Sequence, residues 1–291
     1  RFIACRFRSS LLTLVKLPHK NTMHAQPTLA INQSSVLPTP AKFYLQDTWT
    51  TKNIKDIQAA QRLRYKVFGE ELGSTINQDH PGCESDRFDL HCDHLLVRAV
   101  ATGEVIGTCR LISPVTARTV GSFYAESEFS LERFHHLRDD LLEIDRFCIH
   151  PDYRSGRIMA MLWAGLGQYI ARHKYLYLIG CASISVKDGG HHAADIFQQF
   201  RHTHLMPSAY RATPYHPLPY EKLASGKPAD PTLMPPLIKA YLRAGGRICG
   251  EPAWDTDFNV ADLLFMLPMT QLNHRYGRTF LDPYRPIEGI H

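Results

Sequence analysis

Residues 141–172 constrain the fold more than any other stretch of the chain. The stretch begins as a short apolar strand that carries charged residues, turns at residues 150–152, and continues after a basic loop with apolar residues at helical spacing. The loop, residues 154–157, contains two arginines and a glycine and directly precedes the predicted helix. Because the first amide groups of a helix have no partner inside it, this arrangement predicts an anion-binding site at the helix N-terminus.

Composition limits the classes of protein to which the chain can belong. With 291 residues, of which 44% are hydrophobic and 21% charged, the chain is long enough for a large globular core. Its apolar runs are shorter than the ~18 residues of a membrane-spanning helix. The net charge of +5 is too small for a nucleic-acid-binding surface but favours acidic partners or anionic lipid head groups. We therefore expect a cytoplasmic protein without a nucleic-acid partner, and peripheral contact with the inner membrane stays open.

The cysteines and histidines do not predict a metal site. The seven cysteines are scattered along the chain without a C-x-x-C pair, which is typical of a reducing compartment. Cys83 and the nearby residues 91–94 resemble a metal-binding cluster, but adjacent side chains on a strand point to opposite faces and suit zinc poorly. We predict neither a metal ion nor a cofactor.

Patterning along the chain predicts an N-terminal extension and one α/β domain. Residues 1–22 hold five basic and no acidic residues, and we expect residues 1–43 to be a flexible extension, with translation starting at Met23. Residues 44–291 form the predicted domain, in which residues 207–236 carry eight of the 19 prolines and are expected to be an irregular insertion. The predicted helices cover residues 54–72, 131–138, 158–169, 193–200 and 237–243, and the predicted strands 94–100, 105–112, 142–149, 175–183 and 262–267. Strands with helices crossing between them imply a mixed central sheet with helices on both faces.

The order of helix, hairpin, strand, basic loop and helix resembles the GNAT fold of acyl-CoA- and acyl-carrier-protein-dependent N-acyltransferases. A more specific set of residues resembles the pattern of the acyl-homoserine-lactone synthases, which take acyl groups from acyl carrier protein. The residues that carry this second resemblance are Arg64, Phe68, Glu84, Asp86, Phe88, Asp89, Gly107, Arg110, Leu111, Phe123, Glu143, Arg146 and Phe147.

The chain is similar, more closely still, to the bacterial ornithine N-α-acyltransferases, the hemolysin-like GNAT group that makes lyso-ornithine lipid. The matching motifs are residues 64–73, 88–97, 121–129, 148–156, 180–183 and 235–243, so the resemblance covers about residues 52–280. It implies a 3-hydroxyacyl-acyl carrier protein as donor, co-substrate and partner, and the α-amine of L-ornithine as acceptor. Asp145 departs from the pattern, which has a small residue at this position.

The candidate catalytic residues lie on the predicted central strand. Acylating an amine from a thioester needs a carboxylate or a water chain to accept a proton, donors that stabilise the oxyanion, and a slot for the pantetheine arm. Glu143 is the candidate base, and Arg146 is placed beside it in the catalytic site. Because side chains alternate along a strand, both can face one site only if a β-bulge lies between Ile144 and Arg146.

Acceptor-binding candidates are acids and arginines around this strand. Asp86, Asp89 and Asp93 are candidates for holding the cationic groups of an amino-acid acceptor, and Arg110 or Arg146 for holding its carboxylate. If Asp89 binds the acceptor, Asp89→Asn should impair the use of ornithine and leave stability nearly unchanged. If Asp89 is a structural ion-pair partner, the same change should lower stability instead.

Donor-binding candidates follow directly along the chain. They are Phe147, Cys148, Ile149, Arg154, Ser155, Gly156 and Arg157. We expect Arg154 and Arg157, with Arg172 or Lys174 nearby, to lie at the mouth of the pantetheine slot and to attract the acidic carrier protein.

Several alternatives stay open at this point. The acids and arginines can form a structural ion-pair network, since such networks also cluster charges. The protein can instead be an autoinducer synthase of the acyl-homoserine-lactone type, or another amino-acid N-acyltransferase. It can also be a non-catalytic protein that keeps an acyl- or CoA-binding pocket.

Overall fold

The structure is a computed structural model in which residues 43–48, 53–74, 82–154 and 156–273 are described. The expected extension before Phe43, the expected start at Met23 and the candidate Ser155 lie outside these residues. The strands are β1 (Phe43–Thr48), β2 (Asp93–Ala99), β3 (Val105–Ile112), β4 (Phe129–Ser130), β5 (Leu141–Ile149), β6 (Tyr177–Ser185), β7 (Thr213–Pro214), β8 (Arg247–Ile248), β9 (Ala253–Asp255) and β10 (Val260–Pro268). The α-helices are α1 (Ile54–Arg64), α2 (Pro114–Val120), α3 (Arg157–His173), α4 (His191–Phe200), α5 (Tyr220–Leu223) and α6 (Pro236–Ala244).

One mixed sheet organises the described chain. Its strands follow the order β1-β2-β3-β5-β6-β10-β8, and β9 also pairs with β10. The pairs are antiparallel except for β5 and β6 in the centre, which are parallel. The short strands β4 and β7 form a separate two-stranded sheet.

Helices cover both faces of this sheet. Leu95 and Val97 of β2 pack in a core cluster that contains buried residues of α3, whereas Leu96 between them packs in a cluster with Leu63 of α1. Successive residues of a strand point to opposite sides, so α1 and α3 lie on opposite faces. This arrangement confirms the predicted mixed sheet with helices on both faces.

The two central strands separate after a short paired segment. β5 and β6 pair only from Leu141 to Glu143 and from Tyr177 to Ile179. Gly180 follows at the point of separation, where an added Cβ would lie 2.5 Å from the carbonyl oxygen of Ile144. A side chain at position 180 would therefore clash with β5 and disturb the pairing of the two strands just before they separate. Beyond this point the edges of β5 and β6 face each other across a gap.

A β-bulge interrupts β5 beside the gap. Thr108 and Arg110 of β3, two residues apart, pair with Cys148 and Asp145 of β5, which are three residues apart. The extra residue lies between Asp145 and Cys148, and Arg146 there has a φ of 49°. The predicted bulge is present, but it lies between Asp145 and Cys148 and not between Ile144 and Arg146. It breaks the side-chain alternation of the strand.

Several predicted elements differ from the observed ones. The segment predicted as a helix over residues 131–138 is a 3₁₀ helix, Glu132–Asp140, and α1 continues into a π-helical segment, Tyr65–Glu71. Strand β6, which follows α3, begins and ends two residues later than predicted. Within the proline-rich residues 207–236 the regular elements are short, namely the 3₁₀ helix Ser208–Tyr210, β7 and α5, and Leu218, Tyr220 and Met234 are buried.

Candidate active site

The separation of β5 and β6 opens a cavity of about 860 Å³. Its apolar walls come from the π-helical extension of α1, from α3 and from α6, and include Val67, Phe68, Leu72, Met159, Trp163 and Leu237. Its polar and charged lining comes from β5, β6, β9, β10 and α6, and from loops between the elements. A cavity of this size with apolar walls and a few convergent polar groups is typical of a small-molecule or cofactor-arm site.

Glu143 lies at the end of the cavity where the two strands begin to separate. Its side chain is buried, and its carboxylate accepts hydrogen bonds from the backbone N–H groups of Tyr124 (2.7 Å) and Ala125 (2.8 Å). Burial and the neighbouring Asp145 carboxylate raise the pKa of Glu143 to about 8, although the two amide donors pull in the opposite direction. A carboxylate with a pKa near neutrality is suited to accept a proton from an amine.

Arg146 also lines the cavity, because the bulge turns it toward the same side as Glu143. Its guanidinium donates to Glu84 (2.9 Å) and to Asp86 (3.3 Å). The guanidinium also lies over the rings of Tyr124 (4.3 Å to the ring centroid) and Phe258 (4.9 Å). These contacts fix a positive charge in the wall of the cavity, close to the candidate base.

Four acids beside β5 form what we call the paired cluster: Glu84, Asp86, Asp89 and Asp145. Arg110, which is fully buried, bonds both oxygens of Asp145 and also contacts Asp86 and Asp89. Arg64 bonds Glu84 and contacts both oxygens of Asp89 at 2.7 Å. Together with Arg146, these guanidinium groups supply enough positive charge and donors to compensate most of the buried negative charge.

The paired cluster explains the position of Asp145, the residue that departs from the family pattern. Asp145 lies directly opposite Arg110 in the ladder between β3 and β5, and its carboxylate faces the guanidinium. Burying Arg110 without such a partner would leave an uncompensated charge in the core. Asp145 therefore acts as an anchor for Arg110 and also contributes to the cavity wall.

Most of the predicted acceptor-binding residues lie away from the cavity wall. The lining does not include Asp86, Asp89, Asp93 or Arg110. Asp89 is 1% exposed, and its oxygens accept bonds from Arg64, Arg110, Gln61 and a backbone amide. Asp93 accepts a bond from the Tyr169 hydroxyl at 2.7 Å. Because these groups are already engaged inside the protein, the geometry places them in the scaffold of the site and favours the structural alternative.

The predicted donor-binding residues are mostly brought together. The cavity is lined by Phe147, Cys148, Ile149, Arg154 and Gly156, whereas Arg157 is absent from the lining. The Arg157 guanidinium lies over the ring of Phe43 instead, 5.7 Å from its centroid. The Arg154 guanidinium is already engaged, since it bonds both oxygens of Glu71 at 2.6 Å.

Arg172 and Lys174 are not near the mouth of the pantetheine slot, where we expected them. They lie at the C-terminal end of α3, whose 17 residues make it about 25 Å long. The structure instead places Lys239 and Arg243 of α6 in the cavity wall. These two residues are four positions apart on a helix and so lie on one face, a spacing that the sequence shows directly.

A second group of acids in the cavity wall was not predicted as part of the site. We call Glu128, Asp255 and Asp262 the open cluster. One carboxylate oxygen of each lies within 4.8 Å of the others. In the part of the chain that the structure describes, these three acids are close enough together to hold a metal ion. Asp262 shows a sequence signal that was available, because it is a charge inside an otherwise apolar strand. Asp255 lies seven residues before Asp262, whereas Glu128 is far from both in sequence.

The described helices do not reach the length and apolarity needed to cross a membrane.

Comparison with known proteins adds to this geometry. Residues 63–164 match the acetyltransferase (GNAT) domain family, which covers the chain from the end of α1 to the middle of α3. The chain is similar to an L-ornithine N(alpha)-acyltransferase of Rhodobacter capsulatus, with 35% identity over 255 residues, 82% of this chain and 94% of the relative. It is 34% identical to an L-ornithine N(alpha)-acyltransferase of Brucella abortus over 76% of this chain and 83% of the relative.

Among solved structures, the chain is similar to the crystal structure of the AHL synthase LasI. It has 14% sequence identity and a TM-score of 0.49, over 82% of this chain and 94% of the LasI chain. The match to the GNAT domain family agrees with the mixed sheet, the separated central strands and the helices on both faces. The protein is an acyltransferase, and the chain belongs to the family of the L-ornithine N(alpha)-acyltransferases.

Proposed function

We propose that the protein moves a 3-hydroxyacyl group from acyl carrier protein to the α-amine of L-ornithine, which gives lyso-ornithine lipid. The observation that carries this proposal is the cavity between β5 and β6, which combines a buried carboxylate, a fixed guanidinium and an apolar wall. The names of the curated relatives support ornithine as the acceptor. Because the product is an amphiphile, its release at a membrane surface fits the peripheral contact that the positive net charge leaves open.

Glu143 is the base in this proposal. The neutral α-amine attacks the carbonyl carbon of the thioester, so that a C–N bond forms and the C–S bond breaks. Glu143 accepts one proton from the attacking nitrogen and returns it to the departing thiolate, which leaves as the free thiol of the carrier arm. Its pKa of about 8 makes both transfers feasible near neutral pH.

The bulge in β5 supplies donors for the oxyanion that forms during this attack. Arg146 and Phe147 have no residue opposite them in the ladder with β3, and the parallel ladder with β6 has already ended. Backbone N–H groups released from a ladder at a bulge can point toward a ligand. Donors that are fixed before the reaction stabilise developing negative charge without reorganisation.

The other end of the cavity suits the donor. The N-terminus of α3, with Gly156 and Met159 in the wall, presents unpaired amide groups to the phosphate of the pantetheine arm. Lys239 and Arg243 add positive charge at the same cavity, which complements an acidic carrier protein. The apolar wall accommodates the acyl chain.

Purified protein tests the proposal directly. With 3-hydroxyacyl-acyl carrier protein and L-ornithine we expect thiol release, measured with a thiol reagent, together with N-α-acylornithine, identified by mass spectrometry. S-adenosylmethionine and a panel of other amino acids serve as competing acceptors. Acylation of one of these in place of ornithine would contradict the proposal, and so would a folded protein that releases no thiol with any acceptor.

A further inference from the structure

The open cluster forms an acidic wall in the same cavity as Glu143. Its members come from three parts of the fold: Glu128 directly precedes β4, Asp255 ends β9, and Asp262 lies in β10. Each is fixed in place. Asp262 accepts a bond from the Ser183 hydroxyl at 2.7 Å, and Asp255 accepts bonds from two backbone amides of the turn that follows it, at 2.8 and 3.0 Å. The carbonyl oxygen of Glu128 accepts a bond from the amide of Tyr215 at 2.8 Å.

One oxygen of this cluster lacks a partner although it is buried. Among the described residues, Glu128 Oε2 accepts no hydrogen bond and is not accessible to solvent. Asp262, its neighbour, is only 4% exposed. Buried carboxylates that converge repel one another when they are ionised, so this wall favours a group that brings positive charge and hydrogen-bond donors. When they are ionised, the three carboxylates offer acceptors only, which suits the donors of a cationic group.

The protonation of the cluster supports this conclusion. Burial, repulsion from Asp262 and Asp255, and a hydrogen bond to Asp262 raise the pKa of Glu128 to about 10, while Arg146 acts in the opposite direction. Burial raises the pKa of Asp262 to about 6. Glu128 therefore holds a proton near neutral pH, in a hydrogen bond with Asp262, and a bound cation would take the place of that proton.

The distance along the strands fits an amino acid with a cationic side chain. Ile179 of β6 is level with Glu143, and Ser183, which bonds Asp262, lies four residues further along β6. Four residues of strand rise about 13 Å along the backbone. With each carboxylate at the level of its own strand position and a hydrogen bond at either end, about 7 Å remains between the two bound nitrogens. In extended ornithine the two nitrogens are about 6 Å apart, given ordinary bond lengths.

We infer that Glu128, Asp255 and Asp262 bind the side-chain ammonium of the acceptor while its α-amine lies at Glu143, and that this cluster makes the enzyme select a basic amino acid. The inference rests on the proposed function, which it deepens. It assigns acceptor recognition to residues other than Asp86, Asp89 and Asp93.

A comparison of two acceptors tests the inference. L-norvaline has the same three-carbon side chain as ornithine but lacks the ammonium group. In the wild type we expect kcat/KM for ornithine to exceed that for norvaline by about 100-fold or more, because norvaline leaves the buried carboxylates unpaired. Glu128→Gln and Asp262→Asn should each lower this ratio about tenfold or more, through the loss of ornithine turnover.

Several controls make the result decisive. Asp257→Asn changes an exposed acid two residues after Asp255 and should leave the ratio unchanged. The KM for the acyl donor should not change in any variant, and turnover of norvaline together with thermal unfolding reports whether each variant is folded. The two test residues lie on different elements, so if one variant does not fold, the other still supplies the ratio.

The outcomes separate the inference from the proposed function. Folded variants that keep the wild-type ratio, or that lose turnover of both acceptors equally, would overturn the inference while ornithine acylation by the wild type stands. Activity that disappears with a chelator and returns with Mg²⁺ would assign the open cluster to a metal ion and would also overturn it. Failure of the wild type to acylate ornithine would contradict the proposed function itself.

Discussion

The paired cluster and the open cluster contain the same type of residue, yet their surroundings give them different roles. In the paired cluster each acid bonds one or more of the guanidinium groups of Arg64, Arg110 and Arg146. In the open cluster, within the described residues, the hydrogen bonds come from a hydroxyl, from backbone amides and from the contact between Glu128 and Asp262. Acids whose charge is compensated inside the protein hold the fold, whereas acids that face a cavity without compensation are available to a ligand.

The largest effect should follow from breaking the paired cluster. Asp89→Asn removes the charge that holds Arg64 and Arg110, and we expect it to lower the free energy of unfolding by about 3 to 5 kcal/mol, because two buried guanidinium groups lose compensation. Denaturant unfolding measures the change. The selectivity between ornithine and norvaline should stay as in the wild type.

An exposed ion pair gives the matched control for that variant. Arg118 and Asp139 pair at 2.6 Å but their side chains are 63% and 86% exposed. Asp139→Asn should therefore cost less than about 1 kcal/mol. A variant at Asp89 that is as stable as the one at Asp139, and that has lost its preference for ornithine, would restore Asp89 to the acceptor site.

The two clusters should also respond to pH in opposite directions. Although burial acts against it, hydrogen bonds and attraction from Arg64 hold the pKa of Asp89 well below its usual range, so its contribution is present above about pH 4 and is lost as pH falls. The folded-state pKa of Glu128, about 10, lies above its ordinary value of 4.5. Between about pH 4.5 and pH 10 the folded state therefore keeps a proton that the unfolded state releases. The free energy of unfolding should fall as the pH rises through this range.

Removing the ionisable group at Glu128 should abolish this loss of stability with rising pH. Between pH 6 and pH 9 we expect Glu128→Gln to gain about 1 to 3 kcal/mol in unfolding free energy relative to the wild type, measured by urea unfolding at each pH. Glu132→Gln, at an exposed position in the same part of the chain, should follow the wild type. A difference between Glu128→Gln and the wild type that does not depend on pH would show that the open cluster is not isolated from solvent or counterions.

The smallest effect concerns the donor end of the cavity. Lys239→Glu combined with Arg243→Glu should raise the KM for the acyl carrier protein about tenfold at low salt and weaken its salt dependence, because the attraction to an acidic partner is reversed. Arg154→Glu should have a smaller effect through charge alone, since Glu71 already compensates the Arg154 guanidinium. Initial rates at several salt concentrations distinguish the double variant in α6 from Arg154→Glu. A larger effect at Arg154 than at α6 would support the docking surface predicted from the sequence.

The central strand, basic loop and helix could be predicted because their signals are local. Apolar spacing, the polar turn and the glycine before α3 all lie within about thirty residues, and β5 and α3 formed close to the predicted bounds. Residues 131–138 were predicted as a helix, and their apolar residues Leu131, Phe134 and Leu137 are three apart. That spacing also fits a 3₁₀ helix, in which residues three apart share one side, and the chain adopts this form.

The candidate site could be predicted only in part, because its selectivity depends on distant contacts. Glu143 and Arg146 share the cavity as expected, because the bulge in β5 breaks the side-chain alternation between them. The role of Asp89 depends on arginines of α1 and β3, and the open cluster forms only when β9 and β10 come to lie beside β6. Charge type and spacing in sequence cannot show which acids meet an arginine and which meet a cavity.

The central claim is that Glu143, at the separation of β5 and β6, accepts the proton during acyl transfer. Measuring kcat/KM for ornithine from pH 6 to pH 10 at saturating donor, for the wild type and for Glu143→Gln, tests it most directly. For the wild type we predict a rise through about pH 8, where Glu143 ionises. For the folded variant we predict a rate about 10²- to 10⁴-fold lower, without the component of the rise that is centred there. A folded Glu143→Gln variant that keeps the wild-type rate and pH profile would contradict the claim.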